Sequence, residues 1–172
     1  MIEPGSTIKP FIIYAALRNK VIDKSTIIDT APGVIKLDNK EIKDWKYLGK
    51  VSTSDIIKLS SNIGAAKVSK KLSKKQLTRN LDSFGFGQSL FLNLPGSKNG
   101  SIPSHNSLSD SNHFSIGYGY GLSVSLMHLV NAYTMLANAG SQTQLKYITN
   151  TDSADKKQVL DMRPDFEKLS HF

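Results

Sequence analysis

Near its start the chain reads Glu3-Pro4-Gly5-Ser6-Thr7-Ile8-Lys9-Pro10-Phe11, a serine and a lysine three residues apart where a Pro-Gly turn gives way to the apolar run Phe11-Ile12-Ile13-Tyr14-Ala15-Ala16-Leu17. On a helix, positions i and i+3 share a face, so the Lys9 amine can reach the Ser6 hydroxyl, and a serine at the N-terminus sits beside unpaired backbone N–H groups. If burial strips Lys9 of its proton, the amine can take the Ser6 proton and start acyl transfer. The spacing alone is weak: Ser153 and Lys156 repeat it in a polar stretch, where an N-cap followed by a solvated lysine is the plain reading. What sets Ser6 and Lys9 apart is the apolar run behind them, which predicts a buried helix over about residues 7–19 whose first turn the core positions.

Outward from that helix, Asp29 to Asp44 is interrupted by Pro32, Gly33 and Asn39 and reads as loop with short extended pieces. Val51-Ser52-Thr53-Ser54-Asp55 supplies capping residues for a helix carrying Ile56, Ile57 and Leu59 and stopping near Ser60. Ile63, Ala66, Val68 and Leu72 continue at helical spacing, and Leu77, Leu81 and Phe84 mark a further helix ended by Gly85. Residues 85–121, rich in Gly, Pro, Ser and Asn, read mostly as loop. The last clear helix spans about Ser125 to Asn138, with Leu126, Leu129, Val130, Tyr133 and Leu136 inward and Gly140 as its stop. Residues 151–172 are expected to form a poorly structured tail after a partial domain over 1–150.

Ser60-Ser61-Asn62, inside Lys58-Leu59-Ser60-Ser61-Asn62-Ile63-Gly64, is a second polar triplet beside an apolar helix; by itself it reads as caps between two helices. Ser97-Lys98-Asn99 and Ser104-His105-Asn106 share its pattern but lie in the Gly/Pro/Ser-rich loop. Taken in order, Glu3 to Phe11, Ser60 to Asn62, Phe84-Gly85-Phe86-Gly87 with Leu94-Pro95-Gly96, and Phe114-Ser115-Ile116-Gly117-Tyr118-Gly119-Tyr120-Gly121-Leu122-Ser123-Val124-Ser125 resemble class B penicillin-binding proteins, the peptidoglycan D,D-transpeptidases. The Gly-Tyr segment is similar to the division-specific septal (FtsI-type) members. This resemblance covers roughly residues 1–140.

The resemblance implies that Ser6 is the nucleophile, attacking the penultimate D-alanine of a stem peptide; that Lys9 is its base; that Ser60 relays the proton to the leaving D-alanine; and that Asn62 binds substrate. It implies acylation of Ser6 by β-lactams, no cofactor, division proteins as partners of the parent enzyme, and a membrane-anchored parent with its catalytic domain outside. The family's third motif, Lys-Thr-Gly or Lys-Ser-Gly, does not occur in these 172 residues. The expectation is therefore an internal piece of the domain: mainly α, the helical part of an α/β transpeptidase fold with the central sheet largely missing. Alone it is expected to be inactive or slow, with a groove open enough to water to keep Lys9 protonated. The alternative is an inactive remnant or an interaction piece that completes a second polypeptide. A β-lactamase or D,D-carboxypeptidase is disfavoured by the Glu3-Pro4-Gly5 lead-in and the Gly-Tyr segment.

Composition narrows the remaining classes. The chain has 39% hydrophobic and 21% charged residues, ordinary for one globular domain. No apolar stretch reaches the roughly 20 residues of a membrane span, and no export signal is read at the N-terminus. Zero cysteines exclude disulfides and thiolate metal sites. His105, His113, His128 and His171 have no ligand spacing, so no metal is expected; His128, on an apolar helix, reads as a satisfied, partly buried group. Gly117-x-Gly119-x-Gly121 is not a dinucleotide fingerprint and reads as a turn that lets the last helix pack closely. The net charge of +8 comes without interleaved aromatics, so nucleic acid is not expected. Lys67, Lys70, Lys71, Lys74 and Lys75 read as a solvated helical face or a weak anion patch.

Overall fold

The computed structural model describes residues 1–38, 40–90 and 98–141. Leu94-Pro95-Gly96, Ser97, Asn39, His171 and the tail expected over 151–172 lie outside the described residues. Six helices and two small antiparallel sheets make up the described chain.

Helix α1, Lys9–Arg18, is preceded by a 3-10 turn over Gly5–Ile8. It lies at the centre, burying Lys9, Phe11, Ile12, Ile13, Ala15 and Ala16 on several sides. Phe11 is the hub of the aromatic packing, meeting Phe84, Phe86 and Tyr133 edge-on at centroid distances of 4.9, 5.2 and 5.0 Å, geometry the ring quadrupoles favour. Around α1 stand α2 (Thr53–Lys58), α3 (Asn62–Lys71) and α4 (Lys74–Ser83). Ser52 and Asp55 form a capping box at the start of α2, as do Ser73 and Gln76 at α4; each satisfies backbone donors that have no helical partner. Gly85, at φ +82°, follows the end of α4.

The extended pieces anticipated between Asp29 and Asp44 are strands. β1 (Ile27–Asp29) pairs with β4 (Lys50–Ser52), and β2 (Val34–Leu37) pairs with β3 (Lys40–Lys43) with Ile35 opposite Ile42. Ile42 packs with Ile63 and Ala66 of α3, so the end of β3 arrives at the N-terminus of α3.

Two sequence expectations are corrected. Residues 85–121 are not simply loop, because Asp110–Gly117 form α5, capped by Ser109. Its buried residues are His113, Ser115, Ile116 and Gly117, too small and polar to produce an apolar period. It packs by close approach: a Cβ on Gly117 would come within 2.8 Å of the Ser69 Cβ on α3, and the Ser69 hydroxyl donates to the His113 carbonyl at 3.0 Å.

Helix α6, Leu126–Ala137, is found where expected, but it buries His128, Asn131, Ala132 and Met135. Leu129 and Leu136 pack against the core, whereas Leu126, Val130 and Tyr133 are exposed. The rotation has a hydrogen-bonding cause. His128 bridges the Ser125 hydroxyl at 2.7 Å and the Gln88 carbonyl at 2.9 Å, while Asn131 donates to the Phe84 carbonyl. His128 is thus satisfied, and fully rather than partly buried. Of the lysine cluster, Lys70 and Lys74 pair with Asp110 of α5 at 3.0 and 3.1 Å, and Lys67 donates to the Asp29 carbonyl.

Candidate functional site

Ser6 is not an N-cap. It sits inside the 3-10 turn, and α1 begins behind it with no side-chain cap. In 3-10 geometry residues i and i+3 eclipse, which aligns Ser6 with Lys9 more closely than an α-helix would. Lys9 Nζ lies 3.1 Å from Ser6 Oγ. The turn is held by Gly5, at φ +56°, whose N–H donates to the Gly119 carbonyl at 3.0 Å, and by Thr7, whose hydroxyl donates to the Pro4 carbonyl. Gly119 allows this approach, because a Cβ there would overlap the Gly5 carbonyl. The glycine segment therefore serves the Ser6 turn and α3, not the packing of the last helix.

The tertiary fold carries Ser60 and Asn62 to the same amine. Ser60 lies between α2 and α3 at φ +54°, a conformation a non-glycine residue adopts only when its surroundings impose it. Lys9 Nζ donates to the Ser60 carbonyl at 2.6 Å and to Asn62 Oδ1 at 2.8 Å, and lies 3.0 Å from Ser60 Oγ. Ser60 Oγ is 3.1 Å from Ser6 Oγ. All four residues singled out in the sequence meet at one point. The serines are exposed, Asn62 is half-buried and Lys9 is 1% exposed, so two accessible hydroxyls stand over a buried amine.

Sequence reasoning missed Asp44. At the end of β3, its carboxylate accepts from the Ser61 hydroxyl at 2.8 Å and from the backbone N–H groups of Asn62 and Ile63. It thereby caps the N-terminus of α3, where a carboxylate is favoured. Asn62 Nδ2 donates to the Lys43 carbonyl at 3.0 Å, which fixes the amide so that its oxygen faces Lys9. A lone aspartate after a short strand carries no sequence signal; only the packing of β3 on α3 reveals its partners.

Lys9 is not hydrated as expected, although an amine with a pKa of about 8 still holds its proton at pH 7. Burial draws the Lys9 amine down from its ordinary 10.5 to about 8, and the charge on Asp44 opposes that fall. Four oxygens surround an amine that has three N–H bonds when charged and two when neutral. The Ser60 carbonyl and Asn62 Oδ1 can only accept, so they take two N–H bonds; the remaining neighbours are hydroxyls, which can donate as well. A neutral Lys9 therefore fits the same geometry, its lone pair facing a serine O–H.

Residues 1–166 match the penicillin-binding protein transpeptidase domain, and the chain belongs to that family. It is 34% identical over 161 residues to the peptidoglycan D,D-transpeptidase FtsI of Buchnera aphidicola (Schizaphis graminum), covering 94% of this chain and 28% of that protein. To the FtsI of Escherichia coli K12 it is 29% identical, covering 87% of this chain and 25% of that one. The crystal structure of a peptidoglycan glycosyltransferase from Burkholderia ambifaria superposes with a TM-score of 0.81 at 33% identity, over 90% of this chain and 48% of that chain. The chain thus spans about a quarter of the length of these curated relatives. Among the described residues no helix is long and apolar enough to cross a membrane.

Proposed function

We propose that this chain carries the nucleophile half of a septal peptidoglycan D,D-transpeptidase site. The observation that supports this most is the buried Lys9 amine touching both Ser6 and Ser60. Ser6 Oγ attacks the carbonyl of the penultimate D-alanine of a stem peptide while Lys9 accepts the hydroxyl proton. Collapse of the tetrahedral adduct breaks the C–N bond, and the proton passes through Ser60 to the leaving D-alanine amine. An acyl-Ser6 ester remains for the amine of a second stem peptide. Asn62 holds Lys9 by its oxygen and offers its amide edge to substrate. A β-lactam would acylate Ser6 by the same first step, its opened ring remaining attached.

The parent enzyme is inferred to work outside the cytoplasmic membrane with division proteins. The absent Lys-Thr-Gly triplet motivates a second reading, a chain that completes another polypeptide. In the resembling family the strand bearing that triplet supplies an oxyanion-hole donor, and losing one typically slows acyl transfer by about 10²–10³, so the chain alone should label slowly. Wild-type and Ser6→Ala chains incubated with fluorescent penicillin, alone and with a separately expressed segment carrying the third motif, test both readings. Slow Ser6-dependent labelling of the chain alone is the expected result. Labelling only after the second segment is added favours complementation, and an absence of any Ser6-dependent adduct in both mixtures rejects the proposal.

A further inference from the structure

Immediately after Asp44, the indole of Trp45 is 71% exposed, although a tryptophan so exposed forfeits a large apolar burial. It is not loose. Its Nε1 donates to the Leu59 carbonyl at 3.3 Å, one residue before Ser60. With the bonds from Asn62 to Lys43 and Asp44, this fastens the Lys43–Trp45 segment along the turn that carries Ser60. The Lys46 ammonium stands 4.4 Å from the centre of the indole ring, within cation–π range. Nearby, Lys43 is paired with Glu41 at 3.5 Å and the Asp44 carboxylate is turned inward to α3. Lys46 is therefore the charge that accompanies the open indole.

From this placement we propose that Trp45 and Lys46 form a subsite for a carboxylate-bearing peptide acyl donor. The ligand's hydrocarbon lies on the indole, and its carboxylate pairs with Lys46. The proposal rests on the transpeptidase reading of Ser6 and extends it to the part of the donor beyond the scissile bond. It is argued from continuity with the Ser60 turn and from charge complementarity.

Trp45 is the sole tryptophan of the chain, so its emission reports this subsite directly. The Ser6→Ala chain, unable to form an acyl-serine, is titrated with N-acetyl-γ-D-Glu-L-Lys-D-Ala-D-Ala and with the same peptide carrying an amidated glutamyl carboxylate. Saturable change of emission is expected, with the acid bound about two- to fivefold tighter than the amide, the scale of an exposed ion pair. Lys46→Gln, a surface change, should erase that preference, and so should 0.5 M salt. Equal affinity for acid and amide, or no response to either, overturns the subsite. So does a shift produced only by anionic phosphatidylglycerol vesicles, which would mark a membrane-facing surface. Ser6-dependent penicillin labelling of the wild-type chain with a silent Trp45 would reject the subsite and leave the transpeptidase reading standing. An acid-selective Trp45 response in a chain that never labels would do the reverse.

Discussion

Lys9 Nζ donates to Asn62 Oδ1 at 2.8 Å across 53 residues of chain, and the other end of the same amide is tied to the Lys43 carbonyl. This one side chain couples the amine of α1 to the end of β3. Asn62→Asp should keep the size and one acceptor while placing a negative charge on Lys9. The Lys9 pKa then rises above about 8, and Ser6-dependent penicillin labelling should require a more alkaline pH. A labelling profile unchanged in midpoint would remove Asn62 from control of the amine.

Asp44→Asn acts in the opposite direction. Losing the carboxylate removes the attraction that supports the charged amine, so an NMR titration of Lys9 should give a lower pKa than in the wild type. The cap on α3 also weakens, because an amide oxygen replaces a charged acceptor of three donors; a loss of about 1–3 kcal/mol in urea unfolding is expected.

Burial of Lys9 makes stability depend on pH. Its folded pKa of about 8 lies below the ordinary 10.5, so between those values the unfolded chain binds more protons and stability rises with pH. Tyr133 works against this at the upper end, since burial raises its phenol above 10.0 and its contribution is lost as the phenol ionises. Urea unfolding of the wild type at pH 7.5 and 9.5 should therefore show a gain of about 1–2 kcal/mol, discounted for the solvent that reaches the overlying hydroxyls. In Lys9→Met the gain should shrink; an equal gain would place its origin elsewhere.

His113 is buried at 2% exposure, with neither ring nitrogen hydrogen-bonded among the described residues. Burial lowers its pKa first, and the Lys70 charge adds to the fall. The folded ring thus stays neutral, and its contribution is lost as pH falls through the unfolded value near 6.5. His113→Leu should raise the melting temperature, and more at pH 5 than at pH 8. A wild-type chain as stable at pH 5 as the variant would contradict this.

Gly119→Ala should abolish Ser6-dependent labelling, since its Cβ would overlap the Gly5 carbonyl and its φ of +95° disfavours any side chain. Gly121→Ala, also at positive φ but with open space around the added Cβ, is the control and should retain labelling. Equal loss in both would show that backbone strain, rather than contact with the Ser6 turn, is responsible.

Much of the helical frame was legible in residue order. The apolar run after Lys9, the capping residues around Ser52, and the stops at Gly85 and Gly140 are local signals, because capping and periodicity act within a few residues. The same locality limited the reading of α5 and α6: α5 buries small and polar residues, and α6 turns His128 and Asn131 inward to reach carbonyls at Phe84 and Gln88. The first leaves no apolar period, and the second turns the buried face away from the apolar one that residue order displays.

By itself the sequence singled out Ser6 and Lys9, by their spacing ahead of an apolar run, and Ser60 and Asn62, by their motif, without any fold. Only the tertiary structure decided that these four meet, that Lys9 is dry and Ser6 open, and that Asp44 and Gly119 hold the arrangement. Those properties depend on contacts between residues 17 to 114 positions apart in the chain. Burial and electrostatic tuning are set by what packs around a group, and a linear order of residues does not contain that neighbourhood.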